Sequence, residues 1–489
     1  MKKRVALNYI YSALYQIILI IVPFITAPYL ARTLLPDAVG INSYVSAVVS
    51  TFSLVGLIGL NNYSIREIAY VRNDEEKLSK SFSELLVLRV ICFAITLVAY
   101  VIFALMSEYR LYFLVQLIAI LSAFLDISWL YAGLEEFKVT VTRSFIVKIV
   151  NVISIFVFIH SPNDLCLFMI LSTIYTVIGN SILYLGIKKR IKKFVFTELN
   201  ITRHIIPTLK LFLPQVASTV FLQIDKIMIK WLAPAVSSVG FYDQAERIVK
   251  MPLALITALS VVMLPRISNE FKHNNIEKIK NYIFKSFEFS LFLAIPLMFG
   301  LMVISSTMIP WFLGKGYEGV ISIMFTLSPV VVFISLSSVS GKQYLTATNK
   351  TKILTISYLA GAFIDLVLNY ILIPKIGAVG AAIGTLCAET VVFMIQMIYI
   401  KDILEFKKLI KQFTKYTICG CIMFCACYYV GDIYGNTVIS TLLQIILGGI
   451  VYFALLFVLK DRFMFDCIKR GKIVLINKFK KMNAKRSVR

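Results

Sequence analysis

Apolar runs about 20 residues long recur from one end of this chain to the other with only short polar breaks between them, and that is the length of helix that crosses a bilayer. Within hydrocarbon every backbone amide must find its partner inside the protein, so only helices and closed barrels span, and runs this long and this apolar are helical. The runs place spans at 8–31, 41–61, 83–106, 111–131, 143–161, 163–186, 207–232, 247–265, 282–304, 320–346, 351–373, 378–400, 412–430 and 437–459. The expected fold is an all-α polytopic membrane protein of about 14 transmembrane helices.

Composition fits near-complete embedding: AVILMFWYC make up 59% of the chain and charged residues 16%. A formal charge of +24 would suggest nucleic acid as the partner of a soluble protein, but its placement points to lipid. Roughly 40 of the 50 Lys and Arg fall on one side of the alternating loops, in 2–4, 66–80, 188–193, 266–285, 401–415 and 460–489, as cytoplasmic loops require. The opposite loops offer little beyond Arg32, Arg110, Lys315 and Lys375. Both termini are therefore expected in the cytoplasm, with basic loops lying against anionic lipid and no nucleic acid bound. The opening Met1-Lys2-Lys3-Arg4 imitates a signal peptide, but Asn8, Ser12 and Gln16 interrupt the apolar stretch and no A-x-A site follows, so the first helix is expected to be retained. Cys419, Cys421, Cys425 and Cys427 crowd one span at a spacing that puts them on different faces, which suits small apolar filler better than a metal.

The chain echoes itself at an offset of about 200 residues. Leu34-Leu35-Pro36-Asp37-Ala38-Val39-Gly40 ends the first span; Leu232-Ala233-Pro234 ends the seventh and leads to Val239-Gly240. Each is followed by a tyrosine (Tyr44, Tyr242), an apolar segment and a basic loop opened by Arg66 or Arg266. An even number of spans per copy gives both copies one orientation, related by an axis along the membrane normal. The expected organisation is an N-lobe at 1–190, a basic linker at 191–206, a C-lobe at 207–400, two further helices in 401–459 and a basic tail at 460–489. The lobes are thus two pseudo-symmetric six-helix halves, with substrate between them.

An ionised side chain at mid-bilayer costs about 2.5–3.5 kcal/mol on insertion scales, so polar residues inside spans are candidates for function. Gln215, Thr219, Gln223, Lys226 and Lys230 form one stripe down the seventh span, with Asp225 just beside it. Ser144, Lys148, Asn151 and Ser154 repeat the device in the fifth, and Tyr358, Gly361, Asp365 and Asn369 in the eleventh. Thr385 and Glu389 share a face of the twelfth span, while Asp126 and Arg89 lie in the inner halves of the fourth and third. Asp126, Asp225, Asp365 and Glu389 are the carboxylates where a proton or Na⁺ would couple to transport. Lys226, Lys230 and Arg32 also admit a plainer account, snorkelling to the headgroups.

No G-x-x-x-x-G-K-[ST] loop is present, so neither ATP nor another cofactor is expected, and an H⁺ or Na⁺ gradient is the expected driving force. His160, His204 and His273 stand alone, without a second ligand at metal spacing. The outer loops are too short for a catalytic domain, which leaves transport rather than an enzyme.

Three segments resemble the polysaccharide-repeat flippases (Wzx-type) of the multidrug/oligosaccharidyl-lipid/polysaccharide exporter superfamily. They are Gly59-Leu60 through Arg66-Glu67-Ile68-Ala69 with Arg72-Asn73-Asp74; Asp225-Lys226 with Val239-Gly240-Phe241-Tyr242, Ala245, Arg247 and Leu264-Pro265-Arg266-Ile267-Ser268; and Asn369 through Pro374-Lys375-Ile376-Gly377-Ala378-Val379-Gly380-Ala381-Ala382. The resemblance implies a two-lobed carrier in the bacterial cell membrane. It would move an undecaprenyl-pyrophosphate-linked oligosaccharide to the outer leaflet for capsule or O-antigen, with glycosyltransferases and a polymerase as partners. The cargo's pyrophosphate would suit a cationic cavity, for which Arg32, Arg66, Arg89, Lys148, Lys226 and Arg247 are the candidates, with Gln215, Gln223, Asn151 and Asn369 as polar lining. A drug/cation antiporter and a peptidoglycan-precursor flippase of the same superfamily are the alternatives.

Overall fold

The computed structural model describes residues 2–194, 199–466 and 469, with the side chains of 2–21, 210–211, 213–222 and 261 outside that description. Every regular element among the described residues is helical. The chain opens with α1 (Lys2–Leu57), followed by α2 (Leu60–Val71) and α3 (Glu75–Met106). Next, α4 (Arg110–Val115), α5 (Leu117–Leu125) and α6 (Ser128–Gly133) make one interrupted crossing. Then come α7 (Phe137–Phe158), α8 (Leu165–Leu185), α9 (Thr202–Leu232), α10 (Ser237–Lys250), α11 (Leu253–Lys272) and α12 (Ile276–Phe312). Another crossing is built from α13 (Gly319–Leu327), α14 (Val330–Ser337) and a π-helical turn at Ser338–Leu345. The chain continues through α15 (Thr351–Ile376), α16 (Ala378–Ile400), α17 (Phe406–Tyr434) and α18 (Val438–Val458).

Twelve helical stretches among the described residues are long and apolar enough to cross a membrane; this is a multi-pass membrane protein. The other two expected spans are α9 and the opening part of α1, where many side chains lie outside the description. The first two expected spans run together in α1 and are separated at Leu35, whose φ of 65° and ψ of 167° are not helical. Pro36 follows, and proline pushes the residue before it out of the α region.

Local chemistry fixes the other boundaries. Asp74 caps α3 by accepting from Lys77 N, and Glu75 and Glu76 complement the helix N-terminus. Thr437 caps α18 by accepting from Ser440 N. The eighth span expected at 247–265 lies at α11, Leu253–Lys272, and a separate helix, α10, precedes it from Ser237. Its Asp243, Gln244 and Glu246 are buried with Tyr242 and Ala245, so their polarity hid a packed helix that a hydropathy window reads as a loop.

The described residues divide into two compact units: Met1–Ala245, Phe312–Ile323 and Ala362–Gly384 in the first, and Glu246–Trp311, Met324–Gly361 and Thr385–Arg489 in the second. The first unit therefore takes in α9, which the sequence assigns to the C-lobe at 207–400. Within it α1 packs on α7 and α9, α5 and α7 pack on α8, and α2 packs on α6. Gly133 of α6 lies so close to Ile68 that a Cβ there would be 2.6 Å from its Cγ2, the small-residue contact by which membrane helices pack. Within the second unit α17 and α18 form a hairpin, and α11 packs against the π-helical turn.

Candidate functional site

The two copies of the repeat meet inside the first unit. A Cβ on Gly40 would lie 2.2 Å from the carbonyl oxygen of Val236, and one on Gly240 would lie 2.9 Å from the backbone nitrogen of Gly40. No side chain fits there, which is why both positions are glycine.

Beside this contact two ionic groups sit on adjacent residues of α9. Lys226 Nζ is 2.6 Å from Asp243 Oδ1, and Ser43 Oγ donates to Asp243 Oδ2 at 3.0 Å. Asp225 accepts from Tyr242 Oη at 2.5 Å and from Asn369 Nδ2 at 2.7 Å. Asp225, Asp243 and Asn369 are buried, so each carboxylate needs the donors it has. Asp365, one turn before Asn369 on α15, is fully buried too. A Cβ on Gly384 would be 2.4 Å from Asn369 Oδ1 and 3.0 Å from Asp365 Oδ1. Glycine at 384 thus leaves open the space that both oxygens face, and Asn369 Oδ1 receives no donor among the described residues. Asp225, Asp365 and Asn369, from two stripes read separately in the sequence, form one cluster of hard oxygen donors. Such a cluster suits an alkali cation or a proton.

The expected cationic lining is dispersed. Arg89 is buried, and its guanidinium donates to Phe124 O (2.9 Å), Ala123 O (3.0 Å) and Asn61 Oδ1 (2.9 Å). It ties α3 to the end of α5 and to α2 instead of facing an open chamber. Arg32 and Arg66 are exposed; Arg32 packs its Cγ against Gly314, and Arg66 stands 5.6 Å over the Tyr63 ring. Lys148, Asn151 and Gln223 are half-buried. Asn151 Oδ1 is shielded and has no partner among the described residues. Gln215 has its side chain outside the described residues. Asp126 lies at the break between α5 and α6, accepts from Ser128 N and Oγ at 2.9 Å each, and pairs with Arg143 at 3.5 Å.

In the second unit Glu389 is buried on α16, where the charges of Lys250 and Lys342 act on it. Lys250 also pairs with Glu246 at 2.5 Å, while Arg247 is exposed. A buried seryl–glutamine network surrounds the π-helical turn. Ser260 Oγ pairs with Ser338 Oγ at 2.7 Å and accepts from Gln343 Nε2 at 2.9 Å, and Ser340 Oγ donates to Gln396 at 2.5 Å.

Ser43, Asp243 and Arg143 are not among the candidate site residues read from the sequence, and Tyr242 appears there only as a match between the repeats and in the family motif. Ser43 and Asp243 could have been found, because their separation of 200 residues equals the repeat offset. His204, expected to stand alone, is fully buried: Nδ1 is 2.7 Å from Tyr63 Oη and Nε2 is 2.9 Å from Glu84 Oε2. Arg203 joins the same carboxylate at 2.6 Å.

The profile of the family described as "Polysaccharide biosynthesis protein" matches residues 5–271. The chain belongs to this family. Among curated proteins of similar sequence, the "Putative O-antigen transporter" of Shigella dysenteriae is 26% identical over 387 residues, covering 78% of this chain and 96% of that protein. The protein of the same name from Escherichia coli K12 is 23% identical, over 81% and 96% respectively. Among solved structures, "Lipid II flippase MurJ, inward closed conformation" aligns with a TM-score of 0.76 at 19% identity, covering 95% of this chain and all of that one. The fold of this polysaccharide biosynthesis family member is therefore of the MurJ kind.

Proposed function

We propose that this chain is a flippase that carries a polyprenyl-pyrophosphate-linked oligosaccharide from the cytoplasmic to the outer leaflet of the bacterial cell membrane by alternating access. Membership of the polysaccharide biosynthesis family carries the reading, and relatives named as transporters along almost their whole length support it. The physics of the task fits. A sugar hydroxyl stripped of water without a partner costs about 2–7 kcal/mol, so a repeat unit needs a polar path while the polyprenyl tail stays in lipid. Buried carboxylates, amides and lysines inside spans are what such a path requires.

In this reading the two repeats at 1–190 and 207–400 rock about the Gly40–Gly240 contact. Asp225, Asp365 and Asn369 take up the Na⁺ or H⁺ whose gradient drives the cycle. Cytoplasmic glycosyltransferases supply the cargo, and a polymerase on the outer face consumes it. The test is a deletion strain: lipid-linked repeat units accumulate on the inner leaflet and surface polymer disappears, both reversed by returning the chain. Normal surface polymer in the deletion strain would overturn the proposal.

A further inference from the structure

At the outer end of the first unit three segments distant in sequence close on one cavity of about 330 Å³. They are Tyr44 of α1, Glu108 and Tyr109 in the link from α3 to α4, and Lys230 and Trp231 at the end of α9. Trp231 donates its indole N–H to Tyr44 Oη at 3.2 Å, and its side chain stays 67% exposed. Tyr44 and Tyr109 stand edge to face at 6.0 Å. Lys230 Nζ lies 5.1 Å from the Tyr109 ring centre and 3.2 Å from Glu108 Oε2.

We propose that this cavity is a saccharide-binding subsite, which holds a sugar of the cargo's oligosaccharide as it emerges at the outer leaflet. The inference rests on the flippase reading above. Aromatic residues at a membrane interface ordinarily anchor the protein and lie spread around a girdle. Here they converge on a single concavity with an ion pair on its rim, the mixture of apolar walls and few polar groups that marks a small-molecule site. A pyranose has an apolar C–H face and a rim of hydroxyls. The open face of Trp231 and the Tyr109 ring suit the first, and Lys230 and Glu108 offer charge-assisted bonds to the second. Because Lys230 and Glu108 neutralise each other, the cavity favours an uncharged sugar over an anionic headgroup.

The test uses Ser107→Cys, at the cavity rim, in a chain whose other cysteines are serine and which still delivers polymer. Whole cells are treated with a membrane-impermeant maleimide. Labelling is compared between a strain that builds the lipid-linked oligosaccharide and one blocked at the first sugar-transfer step. Labelling is expected to be about tenfold slower where the oligosaccharide is made, as for a site roughly nine-tenths occupied. Trp231→Ala and Tyr109→Ala should restore fast labelling, and Trp231→Phe should keep the protection. Met106→Cys serves as the reporter if Ser107→Cys does not deliver polymer. Equal labelling in both strains, with polymer still reaching the surface, would overturn the subsite and leave the flippase reading standing. Slow labelling in both strains would assign the cavity to a lipid headgroup and overturn it as well. Failure of the flippase reading shows separately, as normal polymer in the deletion strain.

Discussion

Ser43 Oγ donates to Asp243 Oδ2 at 3.0 Å across a separation of 200 residues, the offset at which the sequence repeats. Equivalent residues of a two-fold pair touch only where the axis passes between them. The neighbouring Gly40–Gly240 contact obeys the same geometry. Together they bring the matching segments of the repeat side by side, with the Lys226–Asp243 pair next to them.

The close approach at Gly40 makes that position intolerant. Gly40→Ala would drive a methyl into the Val236 carbonyl and should cost about 1–3 kcal/mol, the usual penalty of overpacking. Gly300→Ala on α12, where a Cβ meets nothing within 4 Å, should be neutral or stabilising by about 0.5–1 kcal/mol. Thermal unfolding of the two purified variants distinguishes them; equal melting temperatures would be inconsistent with the contact.

Asp243→Ala removes a carboxylate paired with half-buried Lys226 and should destabilise by about 3–5 kcal/mol. The double variant Lys226→Met, Asp243→Leu should recover part of that loss, since the pair is then removed whole. A double-mutant cycle read by chemical denaturation measures the coupling, and additive effects would show that the pair contributes none.

Arg89→Lys keeps the charge but loses the fork that reaches two carbonyls and an amide. A lysine's single nitrogen cannot serve all three, and the loss should be roughly 2–3 kcal/mol. Lys148→Ala, by contrast, should leave folding and insertion intact while lowering polymer export. Thermal stability beside surface polymer tests both, and a stable Arg89→Lys would contradict the tie from α3 to α5.

Asp365→Asn should insert and melt much as the parent does, and Asn369→Ala, which takes a donor from buried Asp225, should insert but melt lower; both should deliver little polymer, because the proposed cation cluster would lose its charge or an oxygen. The parent should gain thermal stability as Na⁺ replaces choline in the buffer if Na⁺ is the ion, and neither variant should. Surface polymer at the parent level in both variants would remove the cluster from the transport cycle.

Tyr63, outside the spans, has its phenol pushed up from 10.0 to about 12 by burial, reinforced by the Glu67 carboxylate. The folded protein thus favours the protonated phenol, whose Oη lies 2.7 Å from His204 Nδ1. This contribution is complete below pH 10 and is lost as pH rises toward 12 and beyond. Tyr63→Phe should remove that alkaline component; identical stability-versus-pH curves for parent and variant would exclude it.

Much of the membrane architecture was legible because hydropathy and loop charge both act locally. Leu35-Pro36 announced the break in α1, and the stripe bearing Asp365 and Asn369 was visible as a helical period. What stayed hidden depends on distance in sequence. Arg89 reads as a cavity cation until the carbonyls of residues 123 and 124 are seen to receive it. The start of α10 vanished because buried Asp243 and Glu246 look like loop residues to any hydropathy window. His204 looked solitary because Tyr63 and Glu84, its partners, are 141 and 120 residues away.

The π-helical turn at Ser338–Leu345 sets the rotational register of its crossing. A π turn carries surplus residues relative to an α-helix, and returning one to α geometry rotates everything on one side by about 100°. That rotation would swing Gln343 away from Ser260, so the buried bonds among Ser260, Ser338 and Gln343 fix which face this span presents.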